Sequence, residues 1–235
     1  MLTPPPPPSR HPPSRLPADV LDAGARFPLL LAGDCAVEAH GMAAGRLADP
    51  RVVVETATQS PEPMARIAAE VGQGLVERGW RVRPLETDPL ATRLLVTDPA
   101  TDTERAVDVV KETLWRPPVP AGPGPALSLD DLIGTKVRAV ADRGTARDLA
   151  DVHALAAHWS FPDLEELGRR HAWDAFDLAD LQSRLESSEL LGDQEFAALG
   201  LDDQAVAALR HWTRPWATDI AERLLEEESL KGEDL

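Results

Sequence analysis

Opposite charges border the apolar stripes of two consecutive predicted helices in the second half of the chain. Lys136 lies at the margin of the stripe on the helix predicted over 129–142, and Asp148 lies at the edge of the stripe on the helix predicted over 146–159. A charge beside an apolar face needs a partner. The two side chains therefore predict either an ion pair that tethers the helices or part of an active site, and periodicity alone favours the ion pair.

Two carboxylates fall on predicted strands. Asp108 shares a sheet face with Ala106 and Val110, so it is a carboxylate on an otherwise apolar surface. Burying it alone is costly, which predicts a hydrogen-bonded partner or a bound cation. Glu55, at the end of an earlier β-branched strand, raises the same question with less force because a carboxylate at a strand end can reach solvent.

The elements that must position these groups form two predicted lobes after a proline-rich start. Residues 1–17 are predicted to be a disordered Pro-rich tail, 18–125 an α/β lobe with a mixed sheet, and 126–235 a helical lobe. The fold class is therefore α+β. The expected strands are 28–32, 51–56, 80–85, 92–98 and 104–111, and the expected helices are 17–26, 35–41, 61–79, 129–142, 146–159, 162–171, 177–187 and 202–228, the last with a kink before Pro215.

The charge balance limits the classes of partner. The 235 residues carry a formal net charge of -16, and nucleic-acid binding draws most of its affinity from Lys and Arg. Tight general RNA binding is therefore disfavoured, and a basic or metal-loaded partner is favoured. The single Cys35 fits a reducing compartment, and no apolar run is long enough for a signal peptide or a membrane span. We expect a cytoplasmic protein without a membrane partner.

Three segments together resemble a known family. Residues 128–155 (SLDDLIGTKVRAVADRGTARDLADVHAL) carry a helical Lys, an Asp-Arg-Gly turn and an Arg-Asp-x-x-Asp helix. Residues 27–41 (FPLLLAGDCAVEAHG) carry a strand, a glycine turn and a helix that ends in His-Gly, and residues 106–112 (AVDVVKE) form a strand that carries Asp108. This pattern resembles the AbiEii/AbiGii toxins, a family of nucleotidyltransferase-like proteins. The resemblance implies a nucleotidyltransferase-like fold and a cognate antitoxin protein as a partner.

The resemblance also implies a chemistry, which is Mg²⁺-dependent transfer of a nucleotide from an NTP to RNA or another acceptor. In this family an Asp-x-Asp strand holds the metal, and a glycine turn approaches the phosphates. Carried over to this chain, Glu55 and Asp108 would bind metal. The turn Gly33-Asp34 and Lys136 would face the nucleotide, and Asp148 would orient Lys136 or act as a base.

Three positions depart from the family pattern. Val53 stands where the first Asp of the metal-binding strand is expected, Glu55 stands at the second, and Asp34 replaces a glycine where triphosphate would approach. Asp49 is a candidate substitute ligand, but its spacing is wrong by several residues. The departures predict weak nucleotide transfer. The alternatives are a catalytically inactive relative that serves as a protein-binding module, and a purely structural role for these charges.

Overall fold

A mixed sheet forms the first half of the molecule. The computed structural model describes residues 15–42, 51–172 and 175–233. Within them the sheet has the strand order β1-β2-β5-β4-β3, in which β2 and β5 are parallel and the other neighbours are antiparallel. The strands are β1 (Leu30–Ala32), β2 (Val52–Ala57), β3 (Arg81–Thr87), β4 (Ala91–Asp98) and β5 (Thr103–Glu112). The mixed sheet and the flanking helices confirm the α+β class.

Helices flank the sheet and make up the second half. Their bounds are α1 (Leu16–Ala23), α2 (Gly33–Ala39), α3 (Met64–Glu77), α4 (Leu129–Asp142), α5 (Ala146–Leu155), α6 (Phe161–His171), α7 (Leu178–Ser187), α8 (Asp193–Ala197) and α9 (Asp203–Glu233), with a 3₁₀ turn at Ala156–His158. The helix α8 was not expected, and α9 continues through Pro215 as one element. No described helix is long and apolar enough to cross a membrane.

The two faces of the sheet differ in polarity. Val52 and Val54 in β2 and Val107 and Val109 in β5 are buried on one face, and α1 and α3 contact the strands. Because side chains alternate along a strand, the intervening residues project from the opposite face. That face carries the charged groups of the candidate site, and α2 and α4 contact each other beside the sheet.

The segment between the sheet and α4 is tied to both parts of the chain. Ala126 is fully buried and forms isolated bridges with Leu31 of β1 and with Val119. One core cluster contains residues from the sheet and from the helices. The division into lobes at 125/126 stays a prediction. Of the predicted tail, residues 1–14 lie outside the described residues, whereas Leu16 is buried and begins α1.

Candidate active-site cleft

A buried cluster of charges joins α2, α4 and α5. Lys136 Nζ lies 3.3 Å from Asp34 Oδ1 and also contacts Asp151 Oδ2. Arg147 Nη1 lies 3.5 Å from Asp34 Oδ2. The two oxygens of the Asp34 carboxylate therefore face two different cations. Asp34 and Asp151 are buried, and only 13% of the Lys136 side chain is exposed, so water screens these contacts weakly.

Local backbone geometry aims Asp34 into this cluster. Gly33, the first residue of α2 directly after β1, has a φ of +53°, and a Cβ added there would lie 3.3 Å from the side chain of Val53. Only glycine accommodates both the left-handed backbone and the close approach to β2. The chain can therefore turn sharply at Gly33 and present the next side chain to Lys136.

The pairing within the α4–α5 segment differs from the expected one. Lys136 contacts Asp151 rather than Asp148, and Arg147 reaches across to Asp34 rather than only along its own helix. Asp148 instead closes the capping box at the start of α5, where it accepts hydrogen bonds from Thr145. The physical reason is capping: a carboxylate in the first turn of a helix is drawn to the unpaired backbone N–H groups there.

On the sheet, Asp108 forms an ion pair with an arginine. Arg93 on β4 is the register partner of Asp108 on β5, and it donates to both carboxylate oxygens at 2.7 and 2.9 Å. Arg51 Nη1 lies 3.9 Å from the same carboxylate. The expectation that Asp108 needs a partner or a cation is therefore met by a bidentate guanidinium. On the other side, Asp108 is in register with Val53 of β2, which offers no ligand.

Glu55 is buried rather than exposed at a strand end. Burial, together with the nearby Glu112, raises the pKa of Glu55 to about 8, against the opposing influence of Arg138 and Lys136. Its Oε2 atom has no hydrogen-bond partner among the described residues. Burial therefore favours the protonated form of Glu55, and a hard cation would have to displace this proton in order to bind there.

The sequence-predicted site residues fall into separate groups. Asp34 and Lys136 meet in one cluster, next to Gly33. Asp108 belongs to a second group with Arg93, and Asp148 belongs to the cap of α5. Sequence reasoning missed Arg93 because its position opposite Asp108 depends on the register of the β4–β5 hairpin.

Arg147 and Asp151 were visible in the sequence but were assigned to an intrahelical pair. Four residues apart on a helix, they satisfy the spacing of a local ion pair. The sequence did contain a signal, because Asp151 lies four residues before Leu155 of the apolar stripe of α5. The structure shows that Asp151 is buried on that side of the helix.

The described residues do not fit a metal site of the family type. Among them no group of three or more His, Cys, Asp or Glu side chains is arranged to hold a metal ion. The side chain of Val53 has no oxygen, a cation would have to displace the proton that burial favours on Glu55, and both oxygens of Asp108 accept hydrogen bonds from Arg93. Asp49, the candidate substitute, lies outside the described residues.

The comparisons with known proteins assign the class of protein. The family model "Nucleotidyl transferase AbiEii toxin, Type IV TA system" matches residues 76–229, more than half of the chain. This protein belongs to that family. The match includes Asp108, Lys136 and Asp151, whereas the glycine turn and β2 precede it. No curated protein matches the chain.

Solved structures support the same fold. JHP933 from Helicobacter pylori is 16% identical with a TM-score of 0.52, over 92% of this chain and 95% of that chain. MenT4, a nucleotidyltransferase toxin from Mycobacterium tuberculosis H37Rv, is 14% identical with a TM-score of 0.56, over 86% of this chain and 84% of that chain. At these identities the likeness concerns the fold, and it confirms the nucleotidyltransferase-like architecture.

Proposed function

We propose that this AbiEii-family protein has weak or no metal-dependent nucleotide transfer, and that the bidentate pair between Arg93 and Asp108 is the main reason. In family members two hard cations must bridge the phosphates and stabilise the charge of an in-line displacement. Here Asp108, which the family pattern assigns to the metal, is neutralised by a guanidinium within hydrogen-bond distance. The surviving acid is therefore part of a structural ion pair.

The other strand positions support the same proposal. Restoring a metal site would require a carboxylate in place of Val53 and a deprotonated group in place of Glu55, beyond the release of Asp108 from Arg93. Each change alone leaves at most part of the donor set. When bound, Mg²⁺ with an NTP would supply charge stabilisation in this fold. In the described residues, Lys136 and Arg147 form ion pairs with Asp34 instead.

The family description guides the proposed biological setting. The matching model is described as a toxin of a toxin–antitoxin system, so we propose a cognate antitoxin and a cytoplasmic site of action. The net charge of -16 opposes tight general RNA binding. With transfer weak, the fold would serve as a binding module, and the antitoxin is the partner to test first.

The test is a transfer assay with a matched charge control. The parent protein, Asp108→Asn and Asp163→Asn are incubated with Mg²⁺, each labelled NTP and total RNA. Asp163 belongs to the capping box of α6, so Asp163→Asn removes the same charge at a position outside the candidate site. We expect at most a trace of label in the parent and in Asp163→Asn, close to the Asp108→Asn background. Strong Mg²⁺-dependent labelling by the parent and by Asp163→Asn that Asp108→Asn abolishes would overturn the proposal.

A gain-of-function variant sharpens this assay. The triple variant Val53→Asp, Glu55→Asp, Arg93→Gln restores the strand acids and releases Asp108. If the missing donors are the cause, label transfer appears in this variant and disappears again when Asp108→Asn is added. Circular dichroism and thermal melting must show that the variants are folded before their activities are compared.

A further inference from the structure

Two cationic side chains surround Asp34 as they would surround a bound anion, and the carboxylate of Asp34 takes the place of that anion. Lys136 comes from α4 and Arg147 from α5, and they approach different oxygens of one carboxylate at 3.3 and 3.5 Å. A phosphoryl group presents oxygens to paired cations in a comparable way. Asp34 is 6% exposed, so it is largely shielded from water.

The Asp34 carboxylate is shared by two cations. Lys136 and Arg147 each approach one of its oxygens, and Lys136 also contacts Asp151. Removing the Asp34 charge would take a negative partner from both cations in a poorly hydrated place, and an entering anion would restore that interaction.

We propose that Asp34 is a built-in competitor that occupies the Lys136–Arg147 pair and so lowers its affinity for phosphoryl oxygens. The ligand class is a phosphate chain, such as triphosphate. The inference deepens the proposed function, on which it rests for the identity of the cleft: Asp34 weakens binding of the phosphate chain, whereas the Arg93–Asp108 pair removes the metal donors.

The replacement at Asp34 is structurally simple. The strained backbone lies at Gly33, with its positive φ, whereas Asp34 is an ordinary residue of α2. Asn keeps the shape of the side chain and removes only the charge. Asp34→Asn therefore isolates the electrostatic competition from the turn geometry.

The experiment is calorimetric titration with sodium triphosphate in the absence of metal and RNA. The samples are the parent, Asp34→Asn, the control Asp163→Asn, and Asp34→Asn combined with Arg147→Gln. We expect Asp34→Asn to bind triphosphate at least about tenfold more tightly than the parent. Asp163→Asn should match the parent, and the added Arg147→Gln should remove the gain. Rising salt should weaken the gained binding.

Equal triphosphate affinity of the parent and Asp34→Asn would overturn the inference, as would a gain that survives Arg147→Gln. A gain in Asp163→Asn would assign the effect to net charge and would also overturn it. If Asp34→Asn is too unstable for calorimetry, its melting temperature is measured with triphosphate. The inference requires a larger upward shift than in the parent, and an unmoved or absent transition contradicts it.

These outcomes are separate from those of the transfer assay. Triphosphate binding needs neither Mg²⁺ nor an acceptor, so tight binding by Asp34→Asn without transfer supports both statements. Robust transfer by the parent would end the proposed function, and the titration would still decide the role of Asp34.

Discussion

The candidate site has a helix side, formed by α2, α4 and α5, and a strand side, formed by β4 and β5. Both sides contain ion pairs, but these pairs connect different parts of the fold. On the helix side, Lys136 and Arg147 join three helices through two buried carboxylates. On the strand side, Asp108 is paired within the sheet, to a guanidinium on the neighbouring strand whose side chain is 44% exposed. The helix-side charges therefore contribute to packing between elements, whereas the strand-side pair adds to a hairpin that backbone hydrogen bonds already hold.

This difference explains how the fold tolerates a changed metal strand. Val53 packs against the glycine turn, and a strand needs no carboxylate at that position for its pairing. Loss of a helix-side charge, by contrast, leaves an opposite charge buried. The comparison predicts that stability depends mainly on the helix side and that restored metal chemistry depends mainly on the strand side.

The largest loss of stability should follow Lys136→Met. Asp34 and Asp151 would both lose a cation while remaining buried, so we expect a decrease of roughly 3–5 kcal/mol in the free energy of unfolding. Urea denaturation measures it. The matched control is Arg214→Met, which removes an ion pair with Glu189 whose two side chains are 67% and 44% exposed. A loss for Lys136→Met no larger than for Arg214→Met would break the comparison.

Glu55 should give the protein a pH-dependent stability. Its pKa rises from 4.5 to about 8 on folding, so the folded state holds the extra proton between these values. The stabilisation is complete below about pH 4.5 and is lost as pH rises through 8. The parent should lose roughly 2–4 kcal/mol more stability than Glu55→Gln between about pH 5 and about pH 9. Parallel urea profiles for the two proteins would show that Glu55 is not held protonated.

Asp148→Ala should cost less, about 1–2 kcal/mol, because it removes the Asp148 half of the capping box and the contact with Arg143, whereas Thr145 still caps α5. The same variant should bind triphosphate as the parent does, since Asp148 is not among the groups that contact Lys136. Denaturation and calorimetry on one preparation test both statements. An unchanged stability combined with altered triphosphate affinity would place Asp148 in the anion site and contradict the capping role.

The smallest effect is expected for Arg93→Gln. Asp108 is itself buried, but the guanidinium of Arg93 is partly exposed and Arg51 remains 3.9 Å from Asp108 as a replacement cation, so the free energy of unfolding should fall by only about 1 kcal/mol. Urea denaturation beside the Lys136→Met sample gives the ratio between strand-side and helix-side effects. A loss from Arg93→Gln equal to that from Lys136→Met would remove the distinction between the two sides.

Much of the fold could be predicted from hydrophobic periodicity and from the Gly and Pro residues that begin or end elements. The helix predicted over 129–142 agrees with α4, and β2 and β5 lie within about a residue of their predicted bounds. The misses have local causes. The short helix α8 has only Phe196 buried and so lacks a stripe, and α9 continues past Pro215 because its flanking residues Trp216 and Ile220 pack in the core.

The candidate site was less predictable because it depends on which elements meet. Lys136 was singled out correctly as needing a partner, but the choice between Asp148 and Asp151 required the orientation of α5 against α4. Arg93 gave no local signal, since one residue of register would have placed it on the opposite face of the sheet. Long-range pairing decided both assignments.

The most direct test of the loss of the metal site is a titration of Mn²⁺ into the parent protein and Asp108→Asn, followed by the electron paramagnetic resonance signal of the free ion. Because the side chain of Val53 is apolar and Asp108 is held by Arg93, we expect no saturable Mn²⁺ binding that depends on Asp108. Saturable binding by the parent that Asp108→Asn abolishes would show that the carboxylate leaves Arg93 for the metal, and that this chain keeps a metal site.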